Sequence, residues 1–138
     1  MIAAFFLTSA MSVDNKLEVG EKAPKIETIE GINVVNDANS EPKTRVISFW
    51  NPKKPASRIA NKNLSLKYGQ NASDVEFISI CTDSNENLMA QVMKLDGVNV
   101  DKNYSYSNIS PRVFKDYDVE NNPRAFVINP DGKIAEIL

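Results

Sequence analysis

The sequence predicts an α/β sandwich, a central mixed β-sheet flanked by helices, and three features carry that prediction. Two runs, Val46 to Trp50 and Val75 to Cys81 (VEFISIC), are nearly continuous in apolar and β-branched residues, as strands covered on both faces require. Each is followed by a stretch with helical spacing, so strand, helix, strand and helix succeed one another in the order of a right-handed β-α-β crossover. Near the end, Ala125 to Asn129 meets the turn residues Pro130-Asp131-Gly132 and a closing strand, Lys133 to Leu138, which predicts an antiparallel hairpin.

The elements follow in chain order. From Lys16 to Lys43, turn residues (Gly20, Pro24, Gly31, Pro42) separate short β-prone pieces, and Ile26 to Glu30 and Ile32 to Asn36 are expected to pair around Gly31 as an N-terminal edge hairpin. After the first strand comes a Pro/Lys turn, then a helix from about Pro55 to Tyr68 with Ile59, Ala60, Leu64 and Tyr68 at helical spacing and Gly69 as a left-handed stop. Past the second strand, Asp83 and Glu86 have the spacing of a capping box, with Leu88, Met89, Val92, Met93 and Leu95 as the apolar face and Gly97 near the end. Asp101 to Asn108 has room for a short strand, and Ser110-Pro111 opens a brief helix to about Tyr117.

Composition narrows the function. A chain of 138 residues is expected to be one domain that buries roughly two-thirds of its unfolded surface. Cys81 is the single cysteine and histidine is absent, so an internal disulfide, the usual zinc constellations and a Ser-His-Asp triad are excluded; no metal or cofactor is called for. Sixteen basic against eighteen acidic residues, without long runs, give no footprint for nucleic acid. The N-terminal MIAAFFLTSAMS is apolar from Ile2 to Leu7, then small and polar, then charged from Asp14. Residues 1–14 read as the remnant of a secretory leader or as a segment packing on a domain at 15–138; the apolar run is too short for a transmembrane helix. The leader reading implies an extracytoplasmic protein of the periplasm or cell envelope.

The stretch RVISFWNPKKPASR, Arg45 to Arg58, is the expected site, because the carboxyl end of a strand and the free N–H groups of a helix start face one crevice there. On these pieces the chain resembles the thioredoxin superfamily, in the extracytoplasmic thiol-disulfide oxidoreductase and peroxiredoxin-like (AhpC/TSA, redoxin) branch. The resemblance rests on Val19-Gly20-Glu21-Lys22-Ala23-Pro24, on Val46 to Trp50, on Asn122-Pro123 and on Phe126 to Ile134, and covers roughly Leu17 to Leu138. It implies a thioredoxin-like sandwich, an active-site turn after Trp50 and a cis-proline loop at Asn122-Pro123 lying against that turn.

The departure falls on the chemistry. Laying the family pattern on Phe49-Trp50 puts the two cysteine positions at Lys54 and Ser57, with Arg58 matching. An ammonium and a hydroxyl of ordinary pKa can neither attack a disulfide nor resolve one, so dithiol and peroxidase chemistry are unavailable there. The resemblance then leaves a redox-inactive domain with a degenerate crevice of Trp50, Lys53, Lys54, Pro55, Ser57 and Arg58 beside Asn122 and Pro123, fit to bind a peptide or protein segment, or a small anion at the helix start. Trp50 reads as a core or crevice-wall residue. Cys81 reads as a small buried hydrophobe, with an oxidoreductase acting through Cys81 or through partner cysteines as the alternative.

Overall fold

The computed structural model describes residues 16–35, 42–69 and 74–138. The N-terminal leader-or-packing segment and Asn36, at the end of the expected hairpin, lie outside the described residues.

The two apolar runs form neighbouring parallel strands, β1 (Thr44–Trp50) and β2 (Val75–Cys81), in a register that sets Trp50 beside Cys81. Between them runs α1 (Pro55–Tyr68), and β2 leads through α2 (Glu86–Asp96) to a short parallel strand, β3 (Lys102–Tyr104). A single 3-10 turn, Tyr106–Asn108, precedes α3 (Pro111–Asp116). The antiparallel pair β4 (Ala125–Ile128) and β5 (Ile134–Ile137) completes a five-stranded mixed sheet in the order β3-β2-β1-β4-β5, so β1 is central as its apolar run requires. Gly132, at φ 85°, takes the left-handed place in the β4–β5 turn.

Alternation along β1 sorts the two layers. Ile47 and Phe49 face the main core with Ile78, Ile80 and Phe126 and the α3 residues Val113 and Phe114, where Phe49 and Phe126 meet edge to face at 6.0 Å between ring centres. Ser48 and Trp50 point to the other face, under α1 and α2: Trp50 and Cys81 pack with Val92, Leu88, Met89 and Met93. Across the first three strands, Glu76 of β2 receives Arg45 of β1 at 2.9 Å and Lys102 of β3 at 2.8 Å.

Several local expectations change. The Gly31 turn forms, with Val34 N–H donating to Ile26 O at 2.7 Å, but the ribbon docks through Thr28 on Ile109 and adds no strand to the sheet. Lys22 instead bridges Lys133, next to β5. The α1 bounds are as expected; its buried face is not. Ile59 and Ala60 are exposed, and the buried residues are polar: Asn61, whose Oδ1 accepts from Ser48 Oγ at 2.8 Å and from Ser79 Oγ at 3.3 Å, and Ser65. Gly69 has φ −73°, a right-handed value; a Cβ there would collide with the Ser65 carbonyl oxygen, so close approach rather than handedness calls for glycine.

The cap of α2 is Asn85, whose side chain accepts from Leu88 N–H at 3.0 Å, in place of the expected Asp83 and Glu86 box. Asp83 lies two residues earlier, where its Oδ1 takes Asn85 N–H at 2.8 Å. The helix ends at Gly97 as expected, and that glycine is in the left-handed region, while Leu95 stays 76% exposed and outside the apolar face. Ser110 holds the cap position of α3 without a side-chain hydrogen bond, and Pro111 at the first helical position has no N–H to satisfy.

Candidate functional site

The junction of β1 and α1 is built by Asn51. Its Oδ1 accepts from Lys53 N–H at 2.8 Å, the Asx turn expected of an Asn before Pro, and its carbonyl accepts from Lys54 N–H at 3.0 Å. Ser57 then locks the turn to the helix: Asn51 N–H donates to Ser57 Oγ at 2.8 Å, and that hydroxyl donates its one proton to Asn51 O at 3.0 Å. Pro55 supplies the first helical position, preset in φ and without an N–H to satisfy.

The three cations of the turn are each engaged. Lys53 Nζ lies 3.2 Å from Asp83 Oδ2, across the sheet edge at the end of β2. Lys54 Nζ donates to the carbonyl of Asn121 at 2.9 Å and so bridges the turn to the proline loop. Arg58 makes a two-pronged pair with Asp96 at the end of α2, both bonds at 2.8 Å. The Arg58 hydrogen bond holds the Asp96 carboxyl below the usual carboxylate range and raises the guanidinium in turn. The small anion that the sequence offered to these cations would therefore compete with protein carboxylates and a carbonyl already in place.

Two expectations about the site change. Trp50 is 1% exposed and sits beneath the turn against Val92 and Cys81, with no hydrogen-bond partner for its Nε1 among the described residues. The peptide bond before Pro123 is trans, as is every peptide bond among the described residues, which corrects the cis form that the resemblance implied. Trans is the favoured X-Pro isomer by about 0.5–1 kcal/mol, and nothing in this loop overrides it. The extended backbone edge that a cis bond would present to a partner is not part of this site.

Cys81 is fully buried, and burial pushes its thiol up to about 11; its Sγ donates to Asp83 O at 3.5 Å, and the nearby Asp83 charge adds to the rise. Thr82 closes the strand end above it, with its N–H 2.8 Å from Trp50 O. A thiol so placed is neither reachable nor ionised near neutrality. Among the described residues, no group of three or more His, Cys, Asp or Glu is placed to hold a metal ion, and no helix is long and apolar enough to cross a membrane.

Beside the turn opens a groove of about 270 Å³ lined by Pro52, Pro55, Arg58, Ile59, Lys62 and Asp96. A second, polar cleft of about 340 Å³ lies on the same sheet edge, among Thr82, Asp83, Ser84, Glu120 and Asn121. The residues that sequence reasoning missed are the partners: Asn51, Asp83, Asp96 and Asn121. Asn51-Pro52 carried a legible turn signal; the other three are joined to the turn only by the fold.

Solved structures place this architecture. A thioredoxin-like protein from Parabacteroides distasonis matches with a TM-score of 0.73 at 22% identity, over 88% of this chain and 88% of that one. A thiol-disulfide oxidoreductase from Bacteroides fragilis matches with a TM-score of 0.61 at 20% identity, over 85% and 89%. A secreted disulfide oxidoreductase from Mycobacterium tuberculosis matches with a TM-score of 0.61 at 21% identity, over 84% and 82%. These likenesses show that the chain has the thioredoxin-like fold. No protein family model and no curated protein matches the sequence.

Proposed function

We propose that the chain is a redox-inactive thioredoxin-like domain, spanning residues 15–138 of an extracytoplasmic protein, that binds a peptide or protein segment at the edge where its relatives in fold carry a redox turn. The observation that carries this reading is the state of the two positions laid on the cysteine pair. Lys54 is spent on Asn121 and the Ser57 proton on Asn51, so the turn is held shut by groups that cannot exchange disulfides. Burial of Cys81 counts against the alternative, an oxidoreductase working through that thiol. The secreted M. tuberculosis protein supports an extracytoplasmic setting. A groove beside the inert turn, of a size to accept one side chain, supports a use of this edge in binding.

The test is dithiothreitol-driven insulin reduction by the unmodified protein and by the Lys54→Cys/Ser57→Cys double variant. Lys54 caps α1 and Ser57 lies three residues on, so two sulfurs introduced there would stand at the exposed start of a helix, which favours a thiolate. The expected result is no acceleration by the unmodified protein and a clear acceleration by the double variant. Catalysis by the unmodified protein would overturn the redox-inactive reading; a folded but inert double variant would show that more than the sulfurs has changed.

A further inference from the structure

We infer that the groove of Pro52, Pro55, Ile59 and Lys62, on the outer side of α1, is a docking site for an acidic peptide segment that inserts one apolar side chain. This deepens the binding reading above and rests on it. α1 turns its polarity outward in an unusual way: Asn61 and Ser65 are buried against the sheet, while Ile59 and Leu66, seven residues apart and hence on one face, are 58% and 63% exposed. An exposed apolar stripe on a helix whose inner face is polar contributes nothing to the fold by facing water, and marks a surface that gains from being covered.

Charge selects the occupant. Between Pro55 and Tyr68 stand Arg58, Lys62 and Lys67 and no carboxylate. The one acid on the groove, Asp96, is neutralised by the two bonds from Arg58. Lys62, exposed on the rim, makes no ion pair among the described residues, and Lys54, bound to a neutral carbonyl, keeps its positive charge at the start of the helix. A segment with an apolar anchor flanked by Asp or Glu would seat the anchor on Pro52, Pro55 and Ile59 and set its carboxylates beside Lys62. The site is concave, which suits an inserted side chain better than a flat lipid surface.

The test follows fluorescence anisotropy of a short labelled peptide of Asp and Glu around one central Leu, beside its Lys counterpart and a version with Ser for Leu, with backbone amide shifts to map contacts. The acidic Leu peptide is expected to bind at least about tenfold tighter than the Lys peptide, and Lys62→Glu to weaken it by a similar factor that shrinks at high salt. Ile59→Asn, at an exposed position that leaves the core intact, and the Ser peptide are each expected to lose about fivefold or more. Equal binding of acidic and basic peptides, indifference to both variants, uptake by anionic phosphatidylglycerol vesicles without peptide binding, or masking of the groove amides by a concentration-dependent dimer would each overturn the inference. Shifts confined to the Thr82 and Asn121 cleft would do so too, while sparing the binding reading. If no peptide of either charge perturbs any amide, both fall.

Discussion

Replacing Asn61 by Ala probes the least apolar part of the interior, the seam between α1 and the sheet. Asn61 Oδ1 is the acceptor for the hydroxyls of Ser48 on β1 and Ser79 on β2, and all three residues are buried, Ser79 completely. Truncation leaves two hydroxyls in a dry seam without their acceptor, at about 1–3 kcal/mol each, with the 3.3 Å bond from Ser79 at the lower end. The alanine gains back about 0.5 kcal/mol of helix propensity. The expected loss is roughly 2–4 kcal/mol, a large share of the 5–15 kcal/mol by which domains are stable. Urea denaturation reads this as a lower midpoint at unchanged slope. The same physics predicts that Ser48→Ala/Asn61→Leu/Ser79→Ala together stay within about 1 kcal/mol of the parent, because an apolar seam leaves no group unmet. A loss below about 0.5 kcal/mol for Asn61→Ala, or a triple variant as unstable as the single one, would refute the reasoning.

Three further outcomes are expected. Cys81 should resist a thiol reagent in the native protein at pH 8 and react on unfolding; because its value is raised from 9.0 to about 11, the stability it adds is whole below pH 9 and is lost as pH rises toward 11. Cys81→Ala should flatten that alkaline limb by on the order of 2 kcal/mol, over and above any cavity cost, and an unchanged slope would count against the burial argument. Glu76 behaves oppositely: burial pushes its carboxyl up, but the hydrogen bonds from Lys102 and Arg45 outweigh that and leave it depressed, so its contribution is present above the ordinary carboxylate range and lost as pH falls through the lowered value. Thermal melts of Glu76→Gln across the acid range should show a shallower fall. Gly69→Ala should cost about 1–3 kcal/mol through collision with Ser65 O despite its permissive φ, and a stabilising effect would show that the end of α1 yields easily.

The fold was legible wherever one residue pattern answered to one burial geometry. Val46 to Trp50 and Val75 to Cys81 have partners on both sides in the sheet, and runs of that kind leave little other choice. Pro130-Asp131-Gly132 specified a turn by backbone chemistry alone. The reading failed where side chains answered to something outside their own helix. The spacing of Ile59, Ala60, Leu64 and Tyr68 is helical, and α1 is there, but the inward face was decided by Ser48 and Ser79, which offer hydroxyls to an amide rather than a surface to a hydrocarbon. Two serines in otherwise apolar strands were the available sign, for a strand serine facing a helix needs an acceptor on that helix.

The site divides along the same line. That the turn lacks sulfur was visible in Lys54 and Ser57, because absence of a thiol needs no geometry. What the replacements do was not visible, since Asn121 and Asp96 reach the turn from 67 and 38 residues away in sequence. Those partners alter the functional argument. A basic turn facing solvent would attract anions, whereas this one has turned Lys53 and Arg58 onto Asp83 and Asp96 and Lys54 onto a carbonyl, which leaves the net positive charge of the region on Lys54, Lys62 and the tail of α1. On the proposed binding reading, the surface open to a partner is the groove on the outer face of the helix that begins at this turn, beside a loop at Pro123 that is trans and bridged. With the turn hydrogen-bonded to the start of α1 and to the proline loop, and with Ile59 and Leu66 on the helix exterior, the binding proposed for this edge falls to α1 rather than to the turn itself.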